Sequence, residues 1–174
     1  MMIEVLNESG EVPAPVPEQE LADLGRHVLD QLQVNPRAEL TITLVDEETM
    51  ANLHQRWMDL PGPTDVMSFP MDELRPGGYA GRGEDETPEE AGVLGDVVLC
   101  PAVARSQAQQ AGHAVGDELL LLTTHGILHL LGFDHAEKAE EREMFDLQRT
   151  LLLTFLAHRG RTTRAADDDV VGRP

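Results

Sequence analysis

The chain has 174 residues and a single cysteine, and its 32 acidic side chains against 13 basic ones give a formal net charge of −19. The length fits one domain around a single core, the lone Cys100 excludes an intrachain disulfide, and no apolar run reaches the ~20 residues that span a bilayer. The N-terminal MMIEVLNESGEVP has no basic stretch ahead of an apolar one, so it does not read as a secretory signal and the expected location is the cytoplasm. The acidity counts against long-range attraction to polyanions. It leaves room for a local basic cleft, because charges farther apart than a Debye length of ~8 Å are screened.

Ile3–Leu6 reads as a short strand, and the proline-rich Val12–Pro17 leads into a helix. That helix is expected over Glu18–Val34, where Leu21, Leu24, Val28 and Leu32 recur on one face. Asn35-Pro36 stops it. Leu40–Val45 alternates apolar residues with threonines, the pattern of a half-buried strand. Asp46 caps the next helix, with Glu47 and Glu48 in its first turn. Met50, Leu53 and Trp57 form its expected inner face, with His54 and Arg56 on the solvated side. Pro61-Gly62-Pro63 is a turn cluster ahead of a strand over Asp65–Phe69. Met71–Gly92 is rich in glycine, proline and acid, too long for a turn, and expected to be a mobile loop.

Val93–Cys100 is an apolar strand that ends with Cys100 as a small core residue. Pro101 suits the first position of a helix reaching Gln110, with Gly112 just past its end. A further helix begins near Asp117, and a last one spans Ala136–Ala157, with a packing line of Met144, Gln148, Leu151 and Phe155 widened by Phe145, Leu152 and Leu156. Gly160–Pro174 is polar and expected to be disordered. The reading is one domain over residues 1–159 with a tail over 160–174. Its class is α+β, a small mixed sheet of about four strands covered by about five helices.

The chemistry concentrates in HGILHLLGFDH, His125 to His135. Its surroundings, ELLLLTTHGILHLLGF (Glu118–Phe133), are apolar nearly all round, as in a helix central to the fold. A spacing of four puts His125 and His129 on one helix face, one turn apart. Gly132 is the residue type that turns a chain out of a helix, which lets His135 swing back toward the same point. Three imidazoles on one point make a metal centre with a fourth position open to water, and Zn²⁺ suits that donor set. The spacing HxxxHxxGxxH is also that of metzincin peptidases, where a glutamate after the first histidine is the general base. Here that position is Gly126, so the ligand set is kept and the peptidase base is missing.

The signature HGxLHLxGxDH, carried by His125, Gly126, Leu128, His129, Leu130, Gly132, Asp134 and His135, resembles that of the YbeY family of bacterial metal-dependent endoribonucleases. PTDVMSFP (Pro63–Pro70) and LGDVVLC (Leu94–Cys100) resemble two further family segments, and the match extends from about Val45 to His135. The resemblance implies one zinc ion on His125, His129 and His135. It also implies a functional arginine shortly before PTDV, for which Arg56 is the counterpart. The implied substrate is single-stranded RNA, in maturation of the 16S ribosomal RNA 3′ end and ribosome quality control, with the ribosome or small-subunit proteins as partners. Asp134, beside a ligand, reads as an orienting carboxylate rather than a base. No phosphate-cradling glycine loop supports a nucleotide cofactor, and no membrane partner is expected.

Two other readings stand beside this one. A metallopeptidase would need a base from elsewhere than Gly126. A non-catalytic assembly factor with a structural zinc would need a fourth protein ligand, for which Cys100 is the one thiol in the chain.

Overall fold

In the computed structural model of the chain, the described residues are 1–71, 93–133 and 137–166, with side chains described as far as 159. The mobility expected of Met71–Gly92, all but its first residue, lies outside them, as do Asp134 and His135.

Four strands, β1 (Met2–Glu8), β2 (Glu39–Val45), β3 (Val66–Pro70) and β4 (Val93–Leu99), form one mixed sheet in the order β1-β2-β4-β3. The pairs β1–β2 and β2–β4 are parallel and β3 runs antiparallel to β4, so β3 is an edge strand. The helices are α1 (Glu18–Gln31), α2 (Glu47–Met58), α3 (Pro101–Ala111), α4 (Val115–Leu130) and α5 (Lys138–Ala166). With five helices on a four-stranded mixed sheet among the described residues, the class is α+β, as expected from the sequence.

Alternation along the strands divides the sheet into two unequal faces. Leu40, Ile42, Leu44, Leu94, Val97 and Leu99 point into the main core, which α1, α3, α4 and α5 close with Leu21, Leu24, Val28, Ala104, Leu119, Ile127, Leu130, Met144, Leu151 and Phe155. The opposite face holds a smaller cluster of Val45, Met50, Met67, Val98 and Cys100, covered by α2. Cys100 thus packs in an apolar cluster across the sheet from α4, and burial pushes its thiol pKa up.

The expected inner face of α2 is corrected by the structure. Met50 is fully buried and Leu53 half-buried, but Trp57 is 59% exposed. Asp46 caps the helix at Thr49 N–H, 2.8 Å away, so the first turn is pinned over the sheet. The last turn runs out along the short strand β3, the outermost strand on that side among the described residues, and Trp57 overhangs. Phe145, expected to widen the packing face of α5, is 42% exposed. The helix itself continues to Ala166 rather than stopping at Ala157.

Removal of the one fully buried anchor of α2 is therefore expected to matter more than removal of its largest side chain. Met50→Ala should cost about 2–5 kcal/mol in urea unfolding, and Trp57→Ala less than about 1 kcal/mol.

Candidate metal centre

The site is built on α4. Along residues 122–131 every position is buried except His125 and His129, which are half-exposed and face the same way. The helix can carry polar groups through the core because each is satisfied. Thr123 and Thr124 donate their hydroxyls to Leu119 O (2.6 Å) and Leu120 O (3.0 Å), one turn back. At the far end Gly132 adopts φ +93°, and Phe133 N–H reaches back to Leu128 O at 3.0 Å. This is the glycine-driven exit read from the sequence.

Close approach of α4 to the sheet aims the histidines. A Cβ on Gly126 would stand 2.8 Å from Val97 Cγ1, 3.1 Å from Val66 Cγ2 and 3.3 Å from Ser68 Oγ. Ser68 Oγ also donates to Gly126 O at 2.7 Å. The helix side at residue 126 is thus pressed onto β3 and β4, which turns His125 and His129 outward past the sheet edge. The same contact explains the missing peptidase base, since a glutamate at 126 would meet the sheet instead of the cleft.

The two imidazoles converge. His125 Nε2 and His129 Nε2 lie 3.0 Å apart, with ring centroids at 4.6 Å and planes at 78°. His125 Nδ1 lies 2.8 Å from Gln148 Oε1 of α5. The amide oxygen only accepts, so Nδ1 carries the proton and Nε2 presents its lone pair toward His129. Phe145 lies nearly parallel to the His125 ring, 6.2 Å between centroids, on the side of α5. A second ring nitrogen held by a hydrogen-bond acceptor is the usual support of a metal-ligating histidine. With Zn–N bonds of ~2.0–2.1 Å, two nitrogens at this separation can share one ion, so the residues fit the zinc expected from the sequence. Among the described residues no group of three histidine, cysteine, aspartate or glutamate side chains is assembled for a metal, and the third expected ligand, His135, lies outside them.

The histidines open into a cleft of about 600 Å³ between α4, α5, β3 and the end of α2. Its wall includes Ser68, Leu122, Phe145 and Gln148, and it also includes His54 and Asp65. From the sequence, His54 is expected on the solvated side of α2. It instead borders the cleft, with Nδ1 donating to Gly62 O at 2.8 Å. Asp65 is committed to its own turn and to α3, accepting from Val66 N–H (2.7 Å) and from Gln107 (3.2 Å). Arg56 is exposed on the last turn of α2, its guanidinium carbon 5.6 Å from the centroid of the Trp57 ring, and is not among the cleft-lining residues. The sequence places Gln148 in the packing line of α5. The one signal of a further role was an amide standing in an otherwise apolar line.

An α+β domain whose central helix aims two histidines into an open cleft presents two of the imidazole donors that a hydrolytic metal centre requires. The family model described as Endoribonuclease YbeY matches residues 4–156, and the chain belongs to that family. The Endoribonuclease YbeY of Beutenbergia cavernae is 67% identical over 159 residues, covering 91% of this chain and all of the relative. That of Acidothermus cellulolyticus is 58% identical over 174 residues, covering 100% of this chain and 98% of the relative. The solution structure of TM1509 from Thermotoga maritima superposes with a TM-score of 0.58 at 25% identity, covering 99% of this chain and all of that one.

The hydrogen bond from His125 to Gln148 yields a prediction about metal affinity. Gln148→Leu removes the acceptor and is expected to weaken zinc binding about 10- to 100-fold in a chelator competition. Gln148→Glu, which still accepts from Nδ1, should keep affinity near that of the wild type.

Proposed function

We propose that the chain is a zinc-dependent, single-strand-specific endoribonuclease. In this reading it works in the cytoplasm on the 3′ end of 16S ribosomal RNA and in ribosome quality control, with the ribosome or small-subunit proteins as partners. The observation that carries the metal part is the pair of Nε2 atoms 3.0 Å apart, one with its tautomer set by Gln148. Family membership supports RNA as the substrate.

His125, His129 and His135 would hold the ion. When bound, zinc supplies Lewis acidity and a water acidified to a pKa of ~7. The rest of the work falls to side chains. Gln148 holds the His125 proton on Nδ1 and keeps the ring from rotating. Phe145, Leu121 and Leu122 give the cleft apolar walls that limit water around the reacting phosphate. Arg56 would leave the Trp57 face to place its guanidinium fork on two phosphate oxygens, offsetting charge that grows during displacement. His54 is the remaining imidazole in the wall and stands where a proton acceptor or a phosphate donor is useful.

The test combines elemental analysis with cleavage of single-stranded RNA. His129→Ala is expected to lose both zinc and activity. Arg56→Ala should retain zinc and lose about 2–4 kcal/mol of transition-state stabilisation, or roughly 30- to 1,000-fold in rate. Equal cleavage by wild type and both variants would identify a contaminating nuclease and remove the proposal.

A further inference from the structure

On the α2 face of the sheet, across β3 from the histidine cleft, lies a second groove of about 640 Å³ lined by Leu53, Trp57, Met58, Phe69, Asp96 and Val98, among others. It is open and apolar: Trp57 is 59% and Met58 58% exposed. The Trp57 and Phe69 rings meet edge to face at 5.8 Å, and Arg56 lies against the outer ring. A cluster of large apolar side chains left in water is costly in a single-domain protein and marks a binding surface.

We infer that this groove is a platform for a nucleobase of the RNA strand whose phosphate lies in the histidine cleft. The inference rests on the endoribonuclease reading above and extends it to how the substrate is held. Three observations point to a nucleobase. First, the groove is continuous with the cleft, because Met58, Met67, Ser68 and Pro70 line both and the β3 edge is the ridge between them. A strand crossing that ridge has its sugar-phosphate chain on one side and a base free to turn down on the other. Second, the exposed indole offers a π-face once Arg56 swings to the phosphate, and stacking on an aromatic ring holds unpaired bases without regard to sequence. Asp96 at the groove wall adds an acceptor for an exocyclic amino group. Third, the net charge of −19 denies the protein a general attraction to RNA. Stacking does not depend on net charge and adds affinity beside a local phosphate contact.

Trp57 is the single tryptophan of the chain, so its emission reports on the groove alone. The zinc-loaded full chain is titrated with a short single-stranded RNA oligonucleotide carrying 2′-O-methyl riboses. Saturable quenching of the emission is expected. Trp57→Ala should weaken Kd by about 10- to 100-fold, and Trp57→Phe, which keeps a π-face, should restore most of the loss. The slope of log Kd against log salt should be unchanged in Trp57→Ala but lowered by about 0.7 in Arg56→Ala, as for one lost phosphate contact. Unchanged emission at saturating RNA, or equal Kd in wild type and Trp57→Ala, would overturn the platform. So would a concentration-dependent dimer that Trp57→Ala abolishes while RNA affinity stays intact, which gives the groove to a second copy of the chain. Cleavage of unmodified RNA is followed in parallel. If wild type cleaves, His129→Ala does not and Trp57→Ala binds as wild type, the platform alone falls. If wild type binds RNA through Trp57 without cleaving it, the platform stands and the nuclease reading falls.

Discussion

The distance between α4 and the sheet governs the rest of this molecule. At Gly126 the helix backbone sits where a single methyl group would collide with Val97 and crowd Val66 and Ser68. Packing at that separation rotates the polar side of an otherwise apolar helix past the edge strand β3 into solvent. His125 and His129 are consequently the two positions of residues 122–131 that are not buried. One helical turn of spacing brings their nitrogens together, and α5 supplies the carbonyl that fixes which nitrogen carries the proton. His125 and His129 need no loop to position them, and groups carried on packed helices keep their geometry better than groups on loops.

The same close packing separates this chain from peptidases with a similar spacing of histidines. Their base follows the first ligand in sequence, which requires a helix side open to the substrate. Here that side is filled by the sheet, and the cleft draws its other polar groups from neighbouring elements. His54 comes from α2, Asp65 from the turn before β3, and Gln148 from α5. A structural metal using Cys100 meets a topological obstacle as well, since that thiol is buried in the cluster across the sheet from α4.

Among the described residues, periodicity, continuous apolar runs and turn or capping residues together anticipated the strands and helices, with some ends displaced. The errors fall where burial depends on what lies opposite. Trp57 continues the stripe of Met50 and Leu53, yet it lies over β3, the outermost described strand on that side, and this largest member of the stripe is exposed. Phe145 sits beside the core line of α5 but turns to the His125 ring in the open cleft. Gln148 was the reverse case, a polar residue in a core line whose amide finds its partner 23 positions away in sequence. His54 and Arg56, two residues apart on one helix, look equivalent in sequence. The structure puts His54 on the cleft wall and Arg56 against Trp57.

Sequence by itself determined the helix that carries the site, the pairing of His125 with His129, the glycine that ends the helix and the α+β class. These follow from spacing along one element and from backbone preferences, which are local. Tertiary structure decided why residue 126 is glycine, which nitrogen of His125 is protonated, which residues wall the cleft and which face of the sheet is left thinly covered. Each of these depends on groups brought together from distant parts of the chain, and the separation of packed layers, on which all of them turn, is not encoded in any single segment.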